Sequence, residues 1–213
     1  LDKVYVHSLV QYNKVLLQRN KLLKELGFHP EYEATLDVWD EQLVRFGKEV
    51  IKARRDFIHQ LGDIIKELHT KLSGGKENIE VIYDPDTEEN ELEAAVRKSR
   101  PQDMKQKTTL VGPHRDDISF VVNGIDIRRF GSQGQQRTAA LSLKLAEIEL
   151  VKKLVRDYPI LLLDDVLSEL DPGRQDFVLN QIRTGQVFIT CCETEKWTAI
   201  GKTLVIQDGT IRE

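Results

Sequence analysis

Two segments near the start of the chain place apolar residues at alternating steps of three and four, the spacing of one face of an α-helix. The first segment, residues 1–26, carries this face on Tyr5, Leu9, Tyr12, Leu16, Leu23 and Leu26. The second segment, residues 31–72, carries it on Leu36, Trp39, Leu43, Phe46, Val50, Ala53, Phe57, Leu61, Ile64 and Leu68. Gly27 ends the first helix and Pro30 precedes the second, so the short connection predicts an antiparallel helical hairpin. A globular helical bundle with the same spacing is an open alternative.

The pattern changes after Ser73-Gly74-Gly75, where short apolar runs and alternation with a period of two begin. Strands are predicted at residues 78–83, 118–122, 125–129, 160–163, 187–190, 203–207 and 210–213. Helices are predicted at residues 88–99, 134–156 and 172–182, with a polar connection at residues 101–107. Asn123-Gly124 and Asp208-Gly209 are typical of two-residue hairpin turns. The sequence therefore predicts a helical part followed by an α/β part.

Composition and charge describe an ordinary packed chain of one or two domains. Its 213 residues are 40% hydrophobic and carry a formal net charge of −4, so overall charge does not favour nucleic-acid binding. No apolar run approaches the ~18 residues of a membrane span, and the first residues do not resemble a signal peptide. Cys191 and Cys192 are adjacent, which strains a bridge between them, so we expect a reducing, cytoplasmic setting. The histidines lack metal-ligand spacing, so no zinc site is expected.

Two stretches in the second half of the chain carry the candidate chemistry. A Gly/Ser/Gln-rich turn at residues 131–137 opens a predicted helix, where free backbone N–H groups and the positive dipole end suit a phosphate. The apolar run at residues 160–163 ends in Asp164 and Asp165, which places two carboxylates at the carboxyl edge of a sheet. Neighbouring carboxylates repel each other without a cation, which favours a metal role for this pair. The alternative is that the two acids merely end a buried strand.

The strings around these stretches resemble known motifs. The turn reads Phe130-Gly131-Ser132-Gln133-Gly134-Gln135-Gln136-Arg137, and the acids are followed by Ser168-Glu169-Leu170-Asp171. With the apolar run between them, they resemble the signature loop, the Walker B strand and the D-loop of ABC-type ATPases. They are most similar to the RecF family, in the SMC/Rad50-like branch of these ATPases. A second RecF-like string is Gly112-Pro113-His114-Arg115-Asp116-Asp117.

The resemblance implies an α/β fold and a division of the chain. The fold would be the C-terminal part of an ABC-type ATPase lobe, a mainly parallel sheet flanked by helices with hairpins, plus a helical antiparallel arm. The arm domain would span residues 1–106, with a long hairpin at 1–72 and a small strand/helix segment at 78–106. The C-terminal ABC-type ATPase subdomain, with the three motifs, would span residues 107–213.

The resemblance also implies roles for single residues in binding ATP and Mg²⁺. Asp164 would hold magnesium, and Asp165 would polarise the attacking water, where most ABC ATPases have the longer glutamate. The signature residues would touch the γ-phosphate of an ATP held by another subunit; they are Ser132, Gln133, Gly134, Gln135 and Arg137. For Arg137, bracing the helix is an equal alternative.

Two further positions follow from the same comparison of motifs. Ser168 and Asp171 would belong to the D-loop, which lies along the dimer seam in this superfamily. Thr190 or Cys191 stands where ABC ATPases usually carry a switch histidine, which implies low turnover.

A Walker A loop is missing from the sequence. No Gly-x-x-x-x-Gly-Lys-Ser/Thr string occurs, and Gly201-Lys202-Thr203 follows the Walker B strand instead of preceding it. In RecF-like proteins the Walker A lobe precedes the arm, so the chain resembles the C-terminal portion of such a protein. Alone, it should not hydrolyse ATP, because the amides and the lysine that hold the β- and γ-phosphates are absent.

For the whole family, the resemblance implies an ATP-dependent, DNA-binding recombination mediator that dimerises on ATP and acts in repair and replication restart. The expected partners are gapped DNA at single-strand/double-strand junctions, RecO and RecR, with RecA downstream, and no membrane. Candidate phosphate contacts are Arg54, Arg55, Arg97, Lys98, Arg100, Lys105, Lys107, Arg128, Arg129, Lys152 and Lys153. His114 and Arg115 either reach nucleotide or DNA or form a structural turn.

Two other interpretations remain. The chain is alternatively part of another SMC/Rad50-like ATPase, against which the shortness of the arm argues. It is alternatively a non-catalytic interaction module built on an ATPase remnant. The missing Walker A loop favours that interpretation, whereas the intact acids and signature string oppose it.

Overall fold

The computed structural model describes residues 2–155, 158–167, 170–182, 185–192 and 201–212. Within these residues the chain passes from a helical first third into mixed helix and sheet. The helices are α1 (Lys3–Glu25), α2 (Leu36–Leu72), α3 (Leu92–Gln106), α4 (Ile127–Phe130), α5 (Gln133–Val155) and α6 (Pro172–Gln181). The strands are β1 (Ile79–Asp84), β2 (Asp117–Val122), β3 (Ile125–Asp126), β4 (Leu161–Asp164), β5 (Val187–Thr190), β6 (Val205–Gln207) and β7 (Thr210–Arg212).

The first two helices form an antiparallel pair. Ser8 on α1 donates to Glu49 on α2, whereas Arg19, farther along α1, bonds Asp40, which is earlier on α2. The helices fall within the two predicted segments because their apolar faces meet in one buried cluster with α3. Buried members of that cluster are Tyr12, Val15, Leu43, Val44, Val50, Ile51, Leu92 and Val96.

The second half of α2 packs against α5 and β1 instead of α1. Its buried residues Leu61, Ile65 and Leu68 share a second cluster with Val122 on β2 and Leu145 on α5. One helix therefore contributes to both the helical and the α/β parts. The division between residues 106 and 107 stays a prediction.

Three groups of paired strands make up the described sheet structure. β1, β2 and β3 form an antiparallel sheet in which Ile79 faces Val122 and Asp84 faces Asp117. β4 and β5 run parallel, and β6 and β7 form a closing hairpin. The α/β class with hairpins is thus confirmed, although parallel pairing among the described residues is confined to β4 and β5. No helix among the described residues combines the length and apolar character needed to cross a membrane.

Two local predictions were wrong in detail. The strand predicted at residues 125–129 pairs only at Ile125–Asp126, after which Asp126 caps the short helix α4. The polar connection predicted at residues 101–107 is instead the end of α3, which runs through Pro101. Its polar side chains make tertiary ion pairs, Arg100 with Asp40 and Asp103 with Arg19, and these contacts hold the segment helical.

Candidate functional site

The two candidate carboxylates lie at the carboxyl end of β4, beside the end of β5. In the parallel register Asp164 stands opposite Thr190. The Thr190 hydroxyl donates to Oδ1 of Asp164 at 2.5 Å. The backbone N–H of Asp165 donates to the Thr190 hydroxyl oxygen at 3.0 Å and to the Thr190 carbonyl oxygen at 3.2 Å. Asp164 and Asp165 are both exposed, as acids that receive a ligand must be.

The backbone of Asp165 is unusual. Its φ of 52° lies in the left-handed region, which aspartate and asparagine tolerate better than most non-glycine residues. The resemblance places Asp165 at a position where most ABC ATPases have the longer glutamate. The backbone conformation supplies a physical reason for aspartate at this position.

One side of the β4–β5 pair packs inward and the other is open to solvent. Leu163 is buried in the cluster with α5, whereas Leu162 is 71% and Phe188 51% exposed. The apolar run predicted a buried strand, and among the described residues Leu163 is buried whereas its neighbour Leu162 is exposed.

The segment after the acids turns into α6. Leu167 is fully buried, and its carbonyl accepts from the Gln175 side chain at 2.7 Å. Asp171 caps α6 by accepting the Arg174 N–H at 3.1 Å, and its other carboxylate oxygen lies 3.4 Å from Nε of Arg174. Ser168 and Glu169 lie outside the described residues. The D-loop role of Asp171 stays a prediction beside its capping role.

The signature string forms the start of α5 through a reciprocal cap. The Ser132 hydroxyl accepts the Gln135 N–H at 3.2 Å, and the Gln135 side-chain oxygen accepts the Ser132 N–H at 3.0 Å. This is a capping box, which fixes the orientation of the first helical turn. Gly131 is required before it, because a Cβ there would lie 2.6 Å from the Ile127 carbonyl oxygen.

In the rest of the signature string, Gln136 contacts α4 and the other residues are largely exposed to solvent. Nε2 of Gln136 donates to the Ile127 carbonyl at 2.8 Å, which ties the loop to α4. Ser132, Gln133, Gly134 and Arg137 are exposed, and a Cβ on Gly134 would meet only the Ser132 hydroxyl, at 4.0 Å. The turn therefore presents hydroxyl, amide and backbone groups to solvent at a helix N-terminus, as anion binding requires.

The signature loop and the acids lie on either side of α5 in the sequence. The signature loop begins the 23 residues of α5, which extend about 34 Å, and the acids stand at the end of the 4-residue strand β4. The chain thus carries two candidate half-sites, one at the start of α5 and one at the end of β4.

The Gly112–Asp117 string is a structural junction. Nδ1 of His114 accepts from the Tyr12 hydroxyl at 2.7 Å, and Nε2 donates to the Thr109 carbonyl at 3.2 Å. Burial lowers the pKa of His114 and raises that of Tyr12, so both groups are neutral near pH 7. Asp116 bonds the Arg54 guanidinium at 2.8 Å. These contacts favour the structural turn for His114.

Several candidate phosphate contacts are already paired within the chain. Arg55 pairs with Glu88 and Arg97 with Glu93. The other paired members are Arg54, Arg100, Arg128, Arg129 and Lys152. A DNA phosphate would have to compete with these carboxylates.

His69 is a buried group that sequence reasoning passed over. Nδ1 bonds Ser142 on α5 at 3.0 Å, and Nε2 bonds Glu77 at 3.2 Å. Burial lowers the pKa of His69, Glu77 opposes that effect, and Arg174 adds to it. The available signal was a histidine next to Leu68 on the apolar face of α2, with the small polar Ser142 inside the α5 pattern.

The described part of the chain offers few grouped side chains that could hold a metal ion. Among the described residues no three His, Cys, Asp or Glu side chains are grouped to hold a metal ion. Magnesium in nucleotide sites, however, uses one or two carboxylates together with phosphate oxygens and water. Asp164 and Asp165 could supply the one or two carboxylates that such a magnesium site takes from the protein.

No protein-family model matches the chain. Among curated proteins, it is 53% identical over 215 residues to the DNA replication and repair protein RecF of Lachnospira eligens, covering 98% of this chain and 59% of that protein. It is 45% identical over 201 residues to the same-named protein of Clostridium botulinum, covering 92% of this chain and 55% of that protein. The chain thus spans less than two thirds of the length of these relatives.

Solved structures give the same picture. The recombination mediator protein RecF-ATP in the RecFOR pathway matches with a TM-score of 0.87 and 35% identity, over 100% of this chain and 59% of that one. The RecF-ATPrS structure of the same pathway matches with a TM-score of 0.84 and 36% identity, over 99% of this chain and 58% of that one.

Proposed function

This chain belongs to the RecF family of DNA replication and repair proteins, and from that premise we propose that it supplies the signature, Walker B and D-loop part of an ATP-dependent recombination mediator. The observation that carries the proposal is the pair of half-sites. A capped, solvent-facing signature turn begins α5, and two exposed acids end β4. The Walker A loop would be contributed by sequence outside these 213 residues.

In this proposal the residues act on an ATP phosphate chain. Asp164 would hold magnesium, directly or through water, and the ion would supply positive charge against the charge that develops on the phosphates. Asp165 orients the water that attacks the γ-phosphate and accepts its proton. Ser132, Gln133, Gly134 and Gln135 donate to the γ-phosphate oxygens, with Arg137 as a further cationic contact.

The resemblance to ABC-type ATPases supports assembly from two chains. The signature turn begins the 23-residue helix α5, and the acids come after the other end of that helix, at the end of β4. ATP on one subunit would meet the signature turn of the other, so ATP would drive dimerisation. Asp171, which caps α6, and Ser168 would lie along the seam between the subunits.

The biological setting is proposed from the family. The dimer would engage DNA at single-strand/double-strand junctions of gaps, together with RecO and RecR, and would prepare the site for RecA in the cytoplasm. The chain alone would be inactive, because it carries no Walker A loop.

The test compares Ser132→Arg with Asp165→Asn in a polypeptide that carries this sequence together with the family's Walker A lobe. Ser132→Arg should spare ATP binding but block dimerisation, because a bulky side chain fills the space left for the γ-phosphate. Asp165→Asn should do the opposite: dimers persist and turnover stops. Asparagine also tolerates the left-handed backbone at this position, so the fold is preserved.

Sedimentation with ATP reads assembly, and phosphate release reads turnover. Ser132→Ala is the matched control, because it loses the helix cap, at about 1 kcal/mol, without adding bulk. Ser132→Ala also removes one proposed γ-phosphate donor, so its ATP-driven dimerisation should weaken but persist, whereas Ser132→Arg should not dimerise. A Ser132→Arg protein that dimerises and hydrolyses ATP like the unmodified protein would rule out the proposed role of the signature turn.

A further inference from the structure

The strand ends β4 and β5 are joined by one threonine side chain. Thr190 is the last residue of β5 and lies opposite Asp164 in the register. Its hydroxyl contacts both candidate acids at once: the Asp164 carboxylate at 2.5 Å and the Asp165 N–H at 3.0 Å. No other hydroxyl in the described part of the chain has hydrogen bonds to this pair.

The directions of these bonds follow from the donors available. The Asp165 backbone can only donate its N–H, so the Thr190 oxygen accepts it. An ionised Asp164 carboxylate can only accept, so the single hydroxyl hydrogen goes to its Oδ1. The single hydroxyl hydrogen is thereby committed to Asp164, and Oδ2 of Asp164 has no hydrogen bond from the described residues. Because threonine is branched at Cβ, χ1 is restricted and the hydroxyl position is well defined.

The same contacts bear on the backbone of Asp165. A non-glycine residue at a φ of 52° is held there by its surroundings, at a cost of order 1 kcal/mol. The two Thr190 oxygens that share the Asp165 N–H are part of these surroundings.

We propose that Thr190 is a positioning residue of the ATP site, whose hydroxyl orients the Asp164 carboxylate and holds Asp165 in its left-handed conformation. The inference rests on the proposed ATPase function. It gives Thr190, at the place where ABC ATPases usually carry a switch histidine, a role through its hydrogen bonds to the acids. Thr190 would therefore act on hydrolysis and metal affinity, and leave ATP recognition to other residues.

The first test needs only the 213-residue chain. Thr190→Val keeps the branched shape and removes the hydroxyl, and Thr190→Ser keeps the hydroxyl. Hydrogen exchange at the Asp165 amide, followed by NMR, should be several-fold faster in Thr190→Val and close to the unmodified chain in Thr190→Ser. Thr210→Val is the matched control: the Thr210 hydroxyl donates to the Gln207 carbonyl within the β6–β7 hairpin, so its loss should leave Asp165 exchange unchanged.

The second test uses the longer polypeptide with its Walker A lobe. Thr190→Val should weaken Mn²⁺ binding to the ATP complex about 10- to 100-fold, the usual range for partners that orient a metal ligand. kcat should fall with it, KM for ATP should change little, and Thr190→Ser should restore both. Electron paramagnetic resonance of Mn²⁺ gives the affinity without relying on activity.

The outcomes separate this inference from the proposed function. Unchanged exchange and unchanged Mn²⁺ affinity in Thr190→Val would overturn the inference. So would faster exchange with unchanged Mn²⁺ affinity, because the hydroxyl would then only brace the strand ends. If the unmodified longer polypeptide bound no ATP and Mn²⁺, the proposed function would fail, and the role of Thr190 toward a metal site would fail with it. Normal ATP binding beside an unaffected Thr190→Val would overturn the inference alone.

Discussion

Arg19→Met should destabilise the chain far more than a typical substitution. Arg19 is fully buried on α1, where Nε bonds Asp40 at 2.7 Å and Nη1 bonds Asp103 at 2.7 Å and Thr109 at 2.8 Å. Methionine fills a similar volume but removes all of these bonds. The loss of stability depends on which partners the Asp40 and Asp103 carboxylates retain once Arg19 is gone.

The two carboxylates differ in the hydrogen-bond partners that remain after Arg19 is replaced. Asp40 keeps the Arg100 guanidinium at 2.6 Å, so its charge stays compensated. Asp103 is fully buried and keeps only neutral donors, the Ser99 hydroxyl at 3.2 Å and the Leu110 N–H at 3.1 Å. Leaving one buried charge without its partner costs about 3–5 kcal/mol. Domains unfold at about 5–15 kcal/mol, so Arg19→Met should remove a large part of the stability.

Urea unfolding followed by circular dichroism at pH 7 measures the change. Arg97→Met is the matched control, because Arg97 makes a similar pair with Glu93 on the exposed face of α3 and should lose at most about 0.5 kcal/mol. Adding Asp103→Asn to Arg19→Met should recover part of the loss, because the amide keeps the acceptor for the Leu110 N–H and carries no charge.

Two results would show that the loss of stability does not come from an unpaired buried charge. The first is an Arg19→Met chain that loses no more stability than Arg97→Met. The second is a double variant that loses the sum of its two single changes, since the cost would then not come from an unpaired charge. Nη2 of Arg19 is buried without a hydrogen-bond partner, and its desolvation reduces the net stability that this ion-pair cluster provides.

Two further predictions concern buried groups at other junctions. Because burial lowers the pKa of His69, the unfolded chain binds more protons below the ordinary histidine pKa of about 6.5, and stability should fall as pH drops through that value. His69→Gln should flatten this part of a melting temperature–pH profile, the exposed His59→Gln should not, and equal profiles would contradict the assignment. Gly112→Ala should lose about 1–3 kcal/mol more than Gly75→Ala in urea unfolding, because both have positive φ but only at Gly112 would a Cβ lie 2.6 Å from the Tyr12 hydroxyl. Equal losses would show that the backbone conformation, and not the contact, decides the cost.

Spacing along the chain predicted most helices and strands because local geometry decides them. The steps of three and four on α1 and α2 mark the faces that meet, and Asn123-Gly124 marks a turn that adopts φ values of 50° and 82°. The end of α3 was missed because its stability comes from far away. Asp103 pairs with Arg19, 84 positions earlier, and no short window contains both residues.

In the candidate site, too, local features could be predicted from the sequence, and features that depend on tertiary contacts could not. The capping of α5 was within reach of the sequence, because serine followed three residues later by glutamine is a capping-box pattern. The link from Thr190 to Asp164 was not, because it depends on the register of two strands joined through 26 positions of chain. The left-handed backbone of Asp165 was likewise invisible, since many residue types follow an apolar strand.

The sharing of α2 between two buried clusters has a mechanical consequence. Its 37 residues form one continuous rod about 55 Å long. One part is clamped by α1 and α3, and the other by α5, the helix that starts at the signature turn. A force on the α1–α2 hairpin therefore reaches the α/β part through one continuous helix, without an intervening loop. If closing of the proposed dimer reorients α5, α2 would tilt with it, and the end of α2 that packs on α1 would move farther than the end that packs on α5.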